Sequence, residues 1–378
     1  MFRGGLPSKK GYPFLYFDPV PKTRREDLFG REDELRQFQR VLQYTPLIII
    51  TGLRRTGKTS FLNVALAESG APHIRVDLRG LPVNPSRKQI IQKLQKAFNS
   101  VQGKWKSRIQ RALEKVRGVK VLGAEISLAW EKDQLDLVDL FERIDAWTGK
   151  QNSRFIVAFD EFQHIRGDRN VIRILAYIMD NLQHIAVVVT GSEVGLLYDF
   201  LKLDSPGSVL YGRHHTEIRM RRFTSDEANE FLRKGFEQVG IQVSEDTLTY
   251  AVDKLDGIVG WLTEFGAHCR DCGRANQVVV DETMDLAGRQ ARDEITRLVA
   301  HSKRYGVILN YLANVGTASW SQLKRVLEAH EGRQLPSYVI NEVLKRLTKM
   351  SIIGHTNNQY QIMDPLLRHG IFREPLPQ

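Results

Sequence analysis

Thiols are scarce: Cys269 and Cys272 are the whole inventory of the 378-residue sequence. That rules out the disulfide framework of a small secreted domain. Their CxxC spacing invites a metal reading and His268 is adjacent, but a structural zinc site needs two more ligands, and no second Cys or His pair stands at finger spacing. A plain pair on a helix is the expectation. No apolar run approaches the roughly 20 residues that spanning a bilayer requires, so no membrane is expected as a partner. Residues 1–28 are basic and bear proline, without the apolar core or small-residue cleavage site of a secretory signal. The expected location is cytoplasmic. No internal repeat is visible, and aromatic residues are not clustered into a stacking platform for single-stranded nucleic acid.

What is present is an ordinary globular composition, 42% hydrophobic and 26% charged, over a length that implies two or three domains at about 100 to 200 residues each. The formal charge of +11 and a pI near 9.6 allow attraction to nucleic acid, because Lys and Arg release counterions from phosphates. Charge alone names no partner.

Strands alternate with helices through the first half. LIIIT (47–51), between Pro46 and Gly52, has the β-branched richness of a strand buried on both faces. A helix over 32–44 precedes it and another over 58–68 follows. HIRVDLR (73–79), RFIVAFD (154–160) and IAVVVTG (185–191) read as further strands, 86–100 and 134–148 as helices, and 119–130 as a hairpin breaking near Gly123. That alternation predicts an α/β parallel sheet with helical crossovers. After Thr224 the strand signals vanish. Helices over 225–239, 245–256 and 260–270, with polar starts at Ser225 and Ser244, suggest a helical lid. Helices near 302–313, 319–330 and 336–350, then two short strands around Asn357 and Asn358, describe a winged helix. The expected division is an extension over 1–28 lying on the domain that follows it, a core over 29–222, a lid over 223–298 and a winged helix over 299–378.

GLRRTGKTS (52–60) fits GxxxxGK[ST] in its required setting, a buried strand before and a helix after. Gly52 and Gly57 let the backbone curl so that N–H groups from Leu53 through Ser60, including those of Arg54, Arg55 and Thr56, face phosphate oxygens. The helix N-terminus adds a favourable dipole. Lys58 would reach the β- and γ-phosphates of ATP, and Thr59 would ligate Mg2+. The opposite ligand should be an acid at a neighbouring strand end, and RFIVAFDEF supplies Asp160 for the metal and Glu161 as general base. Thr190 and Ser192 of TGSEVG are hydroxyl donors suited to sensing the γ-phosphate or orienting water. Arg213, after Gly212 and two residues ahead of His215, is a candidate finger for neutralising the transition state, in cis or from a neighbouring subunit.

Taken together, FDPVPKTRREDLFGREDEL (17–35), the loop at 52–60, AFDEFQ (158–163), TGSEVG, LYGR (210–213), GIVGWLTEFG (257–266) and QYQIMDPLLR (359–368) resemble the archaeal ATPase family. That family is one of the signal-transduction ATPases with numerous domains (STAND), relatives of AAA+. The resemblance covers nearly the whole chain. It implies a P-loop NTPase core of ASCE type, an α-helical lid and a C-terminal winged helix, with Phe29, Gly30 and Arg31 of the FGRE segment near the adenine. The family commonly has proline where this chain has Val259, at the lid position expected to approach the base.

The third helix of the winged-helix segment carries Lys345, Arg346 and Lys349, the residue types that face phosphates and base edges when such a helix enters a major groove. Winged helices serve protein contacts as well. Three functions are therefore carried forward. In one, an ATPase uses its nucleotide state to switch lid and winged helix on a protein partner or on a second copy in a homo-oligomer. In another, a double-stranded-DNA-binding ATPase resembles the origin-recognition initiators. In the last, a nucleotide-bound scaffold hydrolyses nothing.

Overall fold

A computed structural model describes residues 16–82, 85–129, 135–165, 169–299 and 302–377. The first fifteen residues of the extension, and parts of the expected hairpin and of the helix over 134–148, lie outside them. In chain order the first unit comprises α1 (Glu32–Val41), β1 (Leu47–Thr51), α2 (Lys58–Ser69), β2 (His73–Asp77), α3 (Arg87–Ser100) and α4 (Lys104–Leu113). The hairpin β3 (Val119–Leu122) and β4 (Glu125–Leu128) follows, then α5 (Leu137–Gly149), β5 (Phe155–Asp160), α6 (Arg169–Asn181), β6 (Ile185–Gly191), α7 (Val194–Leu201) and β7 (His215–Arg219).

β2-β5-β6-β1-β7 form one parallel five-stranded sheet. The period-two alternation of a strand sends Leu47 and Ile49 of β1 into one core with α3, α5 and α6, and Ile48 and Ile50 into a second with α1 and α2. Helices on both faces explain why the central strands are apolar throughout. In register, Thr51 stands beside Gly191, and Val189 beside Phe159. The carboxyl ends of β1, β6 and β5 therefore open on one edge, where open α/β sheets bind ligands. The polar edge strand β7 and the helices α4, α6 and α7 had no counterpart in the sequence reading.

The second half contains α8 (Ser225–Val239), α9 (Glu245–Leu255), α10 (Val259–Cys272) and α11 (Gln277–Val299). After it come α12 (Lys303–Val315), β8 (Thr317–Ser319), α13 (Trp320–Glu331), α14 (Ser337–Lys349), β9 (Ile353–Thr356), β10 (Gln359–Ile362) and α15 (Pro365–Arg373). The cap of α8 is Thr224 in a reciprocal box with Glu227, one residue before the start expected at Ser225. Asn357 and Asn358 turn the β9–β10 wing with positive φ, a conformation asparagine tolerates. Cys269 is buried in the lid and Cys272 is exposed; burial pushes the Cys269 thiol up to about 12. No helix among the described residues is long and apolar enough to cross a membrane.

Lid and winged helix bury one continuous core. α11 and α15 cross at Gly288 and Gly370, where a Cβ on Gly370 would lie 2.0 Å from the Gly288 carbonyl oxygen. The lead-in is part of this core too. Phe17 is fully buried, edge-on to Phe236 at 5.0 Å, and a Cβ on Gly235 or Gly266 would collide with its ring. Phe17→Ala is therefore expected to cost about 3 to 5 kcal/mol of stability, measured by urea unfolding. A loss below about 1 kcal/mol would mean that the pocket closes without the ring.

Candidate active site

The segment after β1 needs backbone conformations that few residues adopt. Gly52 and Gly57 have φ of +149° and +88°, and Arg55 has φ of +64°. A Cβ on Gly52 would lie 2.5 Å from the Met220 carbonyl oxygen, so glycine is required sterically as well. Lys58 opens α2 and is buried, its Nζ donating to the carbonyls of Gly52 at 3.0 Å and Leu53 at 2.7 Å. Burial lowers the Lys58 pKa to about 8, against the pull of Glu161 and Asp160. Thr56 Oγ1 closes the loop on the Leu53 carbonyl at 2.8 Å.

Opposite stands the acidic side. Thr59 Oγ1 donates to the Asp160 oxygens at 3.1 and 3.4 Å. Asp160 is fully buried at the end of β5. Thr190 Oγ1, from the end of β6, donates to Asp160 Oδ1 at 2.7 Å and accepts from Glu161 N at 3.0 Å. Glu161 has a φ of +60°. Its Oε2 accepts from Ser192 N at 3.1 Å, Ser192 Oγ at 2.8 Å and Gln163 Nε2 at 2.6 Å. Burial alone would raise the Glu161 carboxyl; Lys58 and the bonds from Gln163 and Ser192 outweigh it and hold it below the ordinary glutamate value.

Lys58, Thr59, Glu161 and Ser192 line a cavity of about 580 Å³ with the rest of Arg54 to Ser60, Arg79, Gln163, Val259 and Thr263, while Asp160 and Thr190 are fully buried behind them. Its far wall is the lead-in, strapped to α2 by Lys22 N on Ser60 Oγ at 3.0 Å and by Asn63 Nδ2 on the Lys22 carbonyl at 3.1 Å. Phe29 lines that end, packed edge-on to Phe223 and Phe231. Gly30 supplies a positive φ beside it. Arg31 also reaches the cavity, but its guanidinium bonds Glu34 and the Arg221 carbonyl and lies over the Phe223 ring, so it braces the segment. Val259 is the first residue of α10 and faces Gly57, a helix position that proline also suits. Lys22, Arg79, Gln163 and Thr263 are among the cavity residues that were not anticipated.

Two expected residues are elsewhere. Arg213 precedes β7, whose first residue pairs with Leu47 at the opposite end of β1 from the phosphate loop. Its guanidinium bonds Asp180 at 2.6 and 2.7 Å. Residues entering a strand parallel to β1 must lie at the amino edge of the sheet, so this chain does not bring Arg213 to its own cavity. Lys349 is tied to the core instead of facing free solvent, its Nζ donating to both Asp199 oxygens, at 2.6 Å to Oδ1. Lys345 and Arg346 are exposed.

The loop arginines face the lid. Arg54 bonds Glu193 and Glu294, and Arg55 bonds Glu294 at 2.5 Å and stacks over Trp261 at 4.1 Å. Trp261 Nε1 in turn donates to Asp364, the cap of α15, at 3.0 Å. Burial raises the Asp364 carboxyl above the usual aspartate range, against Arg55 and Trp261. Val194 N donates to Ser351 Oγ at 3.3 Å. The winged helix thus touches both the phosphate loop's neighbours and the segment after Ser192.

Residues 28–265 match the family described as an ATPase domain predominantly from Archaea, and residues 300–363 match the MCM protein C-terminal winged helix-turn-helix domain. No curated protein matches the sequence. Among solved structures, the chain is similar to the Walker-type ATPase PABY2304 of Pyrococcus abyssi: 33% identity, TM-score 0.80, covering 94% of this chain and 99% of that one. The ORC1 protein of Aeropyrum pernix, solved in complex with DNA, matches at 15% identity and TM-score 0.47 over 95% of this chain and 93% of that one. The RuvB Holliday junction branch migration motor of Thermotoga maritima matches at 13% and 0.45, over 93% and 98%.

Proposed function

Because the chain belongs to the family of ATPase domains found predominantly in Archaea, we propose that it hydrolyses Mg-ATP and passes its nucleotide state to the lid and winged helix. The observation that carries the chemistry is the meeting of Thr59 and buried Asp160 at 3.1 Å, with Glu161 next in sequence. A hydroxyl and a carboxylate suit a hard divalent cation. Among the described residues no cluster of three or more His, Cys, Asp and Glu side chains could hold a metal unaided, so the remaining ligands would be phosphate oxygens and water.

When bound, Mg2+ would neutralise charge on the β- and γ-phosphates. The amides from Leu53 to Ser60 and the dipole of α2 take the phosphates. Lys58 exchanges the two loop carbonyls it now bonds for β- and γ-phosphate oxygens. Glu161 accepts a proton from water as the water oxygen bonds Pγ and the bond from Pγ to the bridging oxygen breaks, yielding ADP and inorganic phosphate. Ser192, bonded to Glu161 Oε2, responds to the γ-phosphate, and Phe29 and Val259, which line the cavity, would face the base, with Gly30 supplying the backbone bend beside Phe29.

The switch reading rests on contacts between the winged helix and the site's own neighbours: Lys349 with Asp199, Ser351 with Val194, and Asp364 with Trp261 beneath Arg55. Amide hydrogen exchange over 194–201 and 345–353 should differ between protein saturated with Mg-ADP and with a non-hydrolysable Mg-ATP analogue. Identical protection in the two states would remove the switch.

The exposure of Lys345 and Arg346 supports duplex DNA as a second reading. It predicts affinity for a duplex that falls steeply with salt, with the double variant K345A/R346A losing about two from the log–log salt slope. A flat salt response, or an unchanged slope in the variant, would exclude it.

A further inference from the structure

Lys22, Arg31 and Arg79 bring cations to the cavity from outside the phosphate loop, and Arg79 comes from the side of the acids. β2 runs parallel to β5 with Asp77 in register with Asp160, and the last rung of the ladder runs from Leu78 N to the Asp160 carbonyl at 3.1 Å. Arg79 follows. Its main-chain N and its Nε both donate to Asp77 Oδ1, at 3.0 and 2.9 Å, and its Nη2 donates to Oδ2 at 2.7 Å. Lys93 Nζ holds its carbonyl at 3.0 Å.

A planar guanidinium held bidentately has little rotamer freedom left to lose on meeting a ligand. Held this way, Arg79 is still 47% exposed, with Nη2 3.9 Å from Asp160 Oδ2. It lines the same cavity as Lys58, Glu161 and Ser192. Arg75 comes nearer Asp160, at 3.5 Å, but it is tied to Asn63 of α2 and is not on the cavity wall.

We propose that Arg79 is a catalytic residue of this ATPase, supplied in cis from the end of β2, its guanidinium contacting the γ-phosphate while that group is transferred. The proposal rests on the ATPase reading above. As water adds to Pγ and the bridging oxygen leaves with ADP, negative charge redistributes over the γ and bridging oxygens. Lys58 and the loop amides meet that charge from one side, and Arg79 meets it from the β2 side, next to the acids. Its bond to Asp77 fixes the guanidinium before substrate arrives, so little reorganisation accompanies the reaction. Arg213, at the opposite edge of the sheet, cannot do this within the same chain.

The test compares parent, Arg79→Ala and Arg79→Lys by calorimetric titration with Mg-ADP and with a non-hydrolysable β,γ-imido ATP analogue, alongside steady-state hydrolysis. In Arg79→Ala, ADP affinity should stay within about threefold of the parent, analogue affinity should fall about tenfold or more, and kcat should fall on the order of 100-fold. Arg79→Lys should recover part of both losses, since it restores charge without the fork. Equal losses for ADP and analogue would make Arg79 a support for Asp77 and Asp160 and overturn the assignment. Full turnover in Arg79→Ala would do the same. A parent that binds neither nucleotide would instead remove the ATPase reading, and this proposal with it.

Discussion

Lys58→Ala is expected to weaken Mg-ATP binding by a factor of about 100 or more and to take hydrolysis below detection. The ammonium is buried among the carbonyls of Gly52 and Leu53. A buried cation that exchanges carbonyl partners for phosphate oxygens makes charge-assisted bonds worth about 1.5 to 3 kcal/mol each. Alanine removes both the bonds and the charge. Calorimetry gives the affinity directly, and a variant within threefold of the parent would dissolve the phosphate assignment. The same group sets a pH dependence. Burial lowers the Lys58 pKa to about 8 in the ligand-free protein, and phosphate oxygens favour the protonated form. Affinity should therefore be level below pH 8 and fall by up to about tenfold per unit above it, with proton uptake on binding. Release of protons on binding at pH 9, compared across buffers of different ionisation enthalpy, would contradict the assignment.

Glu161→Gln should lower turnover as well but spare binding. The glutamine keeps an oxygen for the bonds from Ser192 and loses the basicity that takes the proton from water. Hydrolysis should fall about 100- to 10,000-fold while Mg-ATP affinity stays within a few-fold or rises with the loss of a negative charge. Single-turnover release of phosphate measures the first quantity and equilibrium titration the second. A variant as fast as the parent would leave Glu161 with a structural role only, as a partner of Ser192 and Gln163.

The core of the fold could be read from local chemistry where burial is symmetrical. LIIIT and IAVVVTG are apolar on both faces, and β1 and β6 occupy those residues to the letter. β7 escaped because HTEIR is a polar edge strand supported by one neighbour only. α11 escaped because its opening Val278, Val279 and Val280 are β-branched residues of low helix propensity, which packing overrides. The site divides the same way. Lys58, Thr59, Asp160 and Glu161 follow from contiguous motifs whose chemistry is local. Arg79 does not, because HIRVDLR reads as strand to its end, whereas the ladder stops at Leu78 and Arg79 folds back on Asp77 at the cavity wall. The lead-in's part was hidden as well, since nothing local to Phe17 announces a slot between Gly235 and Gly266.

The crossing of Gly288 and Gly370 leaves no gap in which the final helix could roll against the long lid helix. Among the described residues lid and winged helix share one core, so on the switch reading they would move together as one lever. On that reading whatever the wing carries would move together with the roof of the nucleotide chamber, and displacement would work on the seam bridged by Arg54, Arg55 and Lys349. Three ion pairs across that seam would act as the bolts of the resting state, and their rupture would release a single rigid arm.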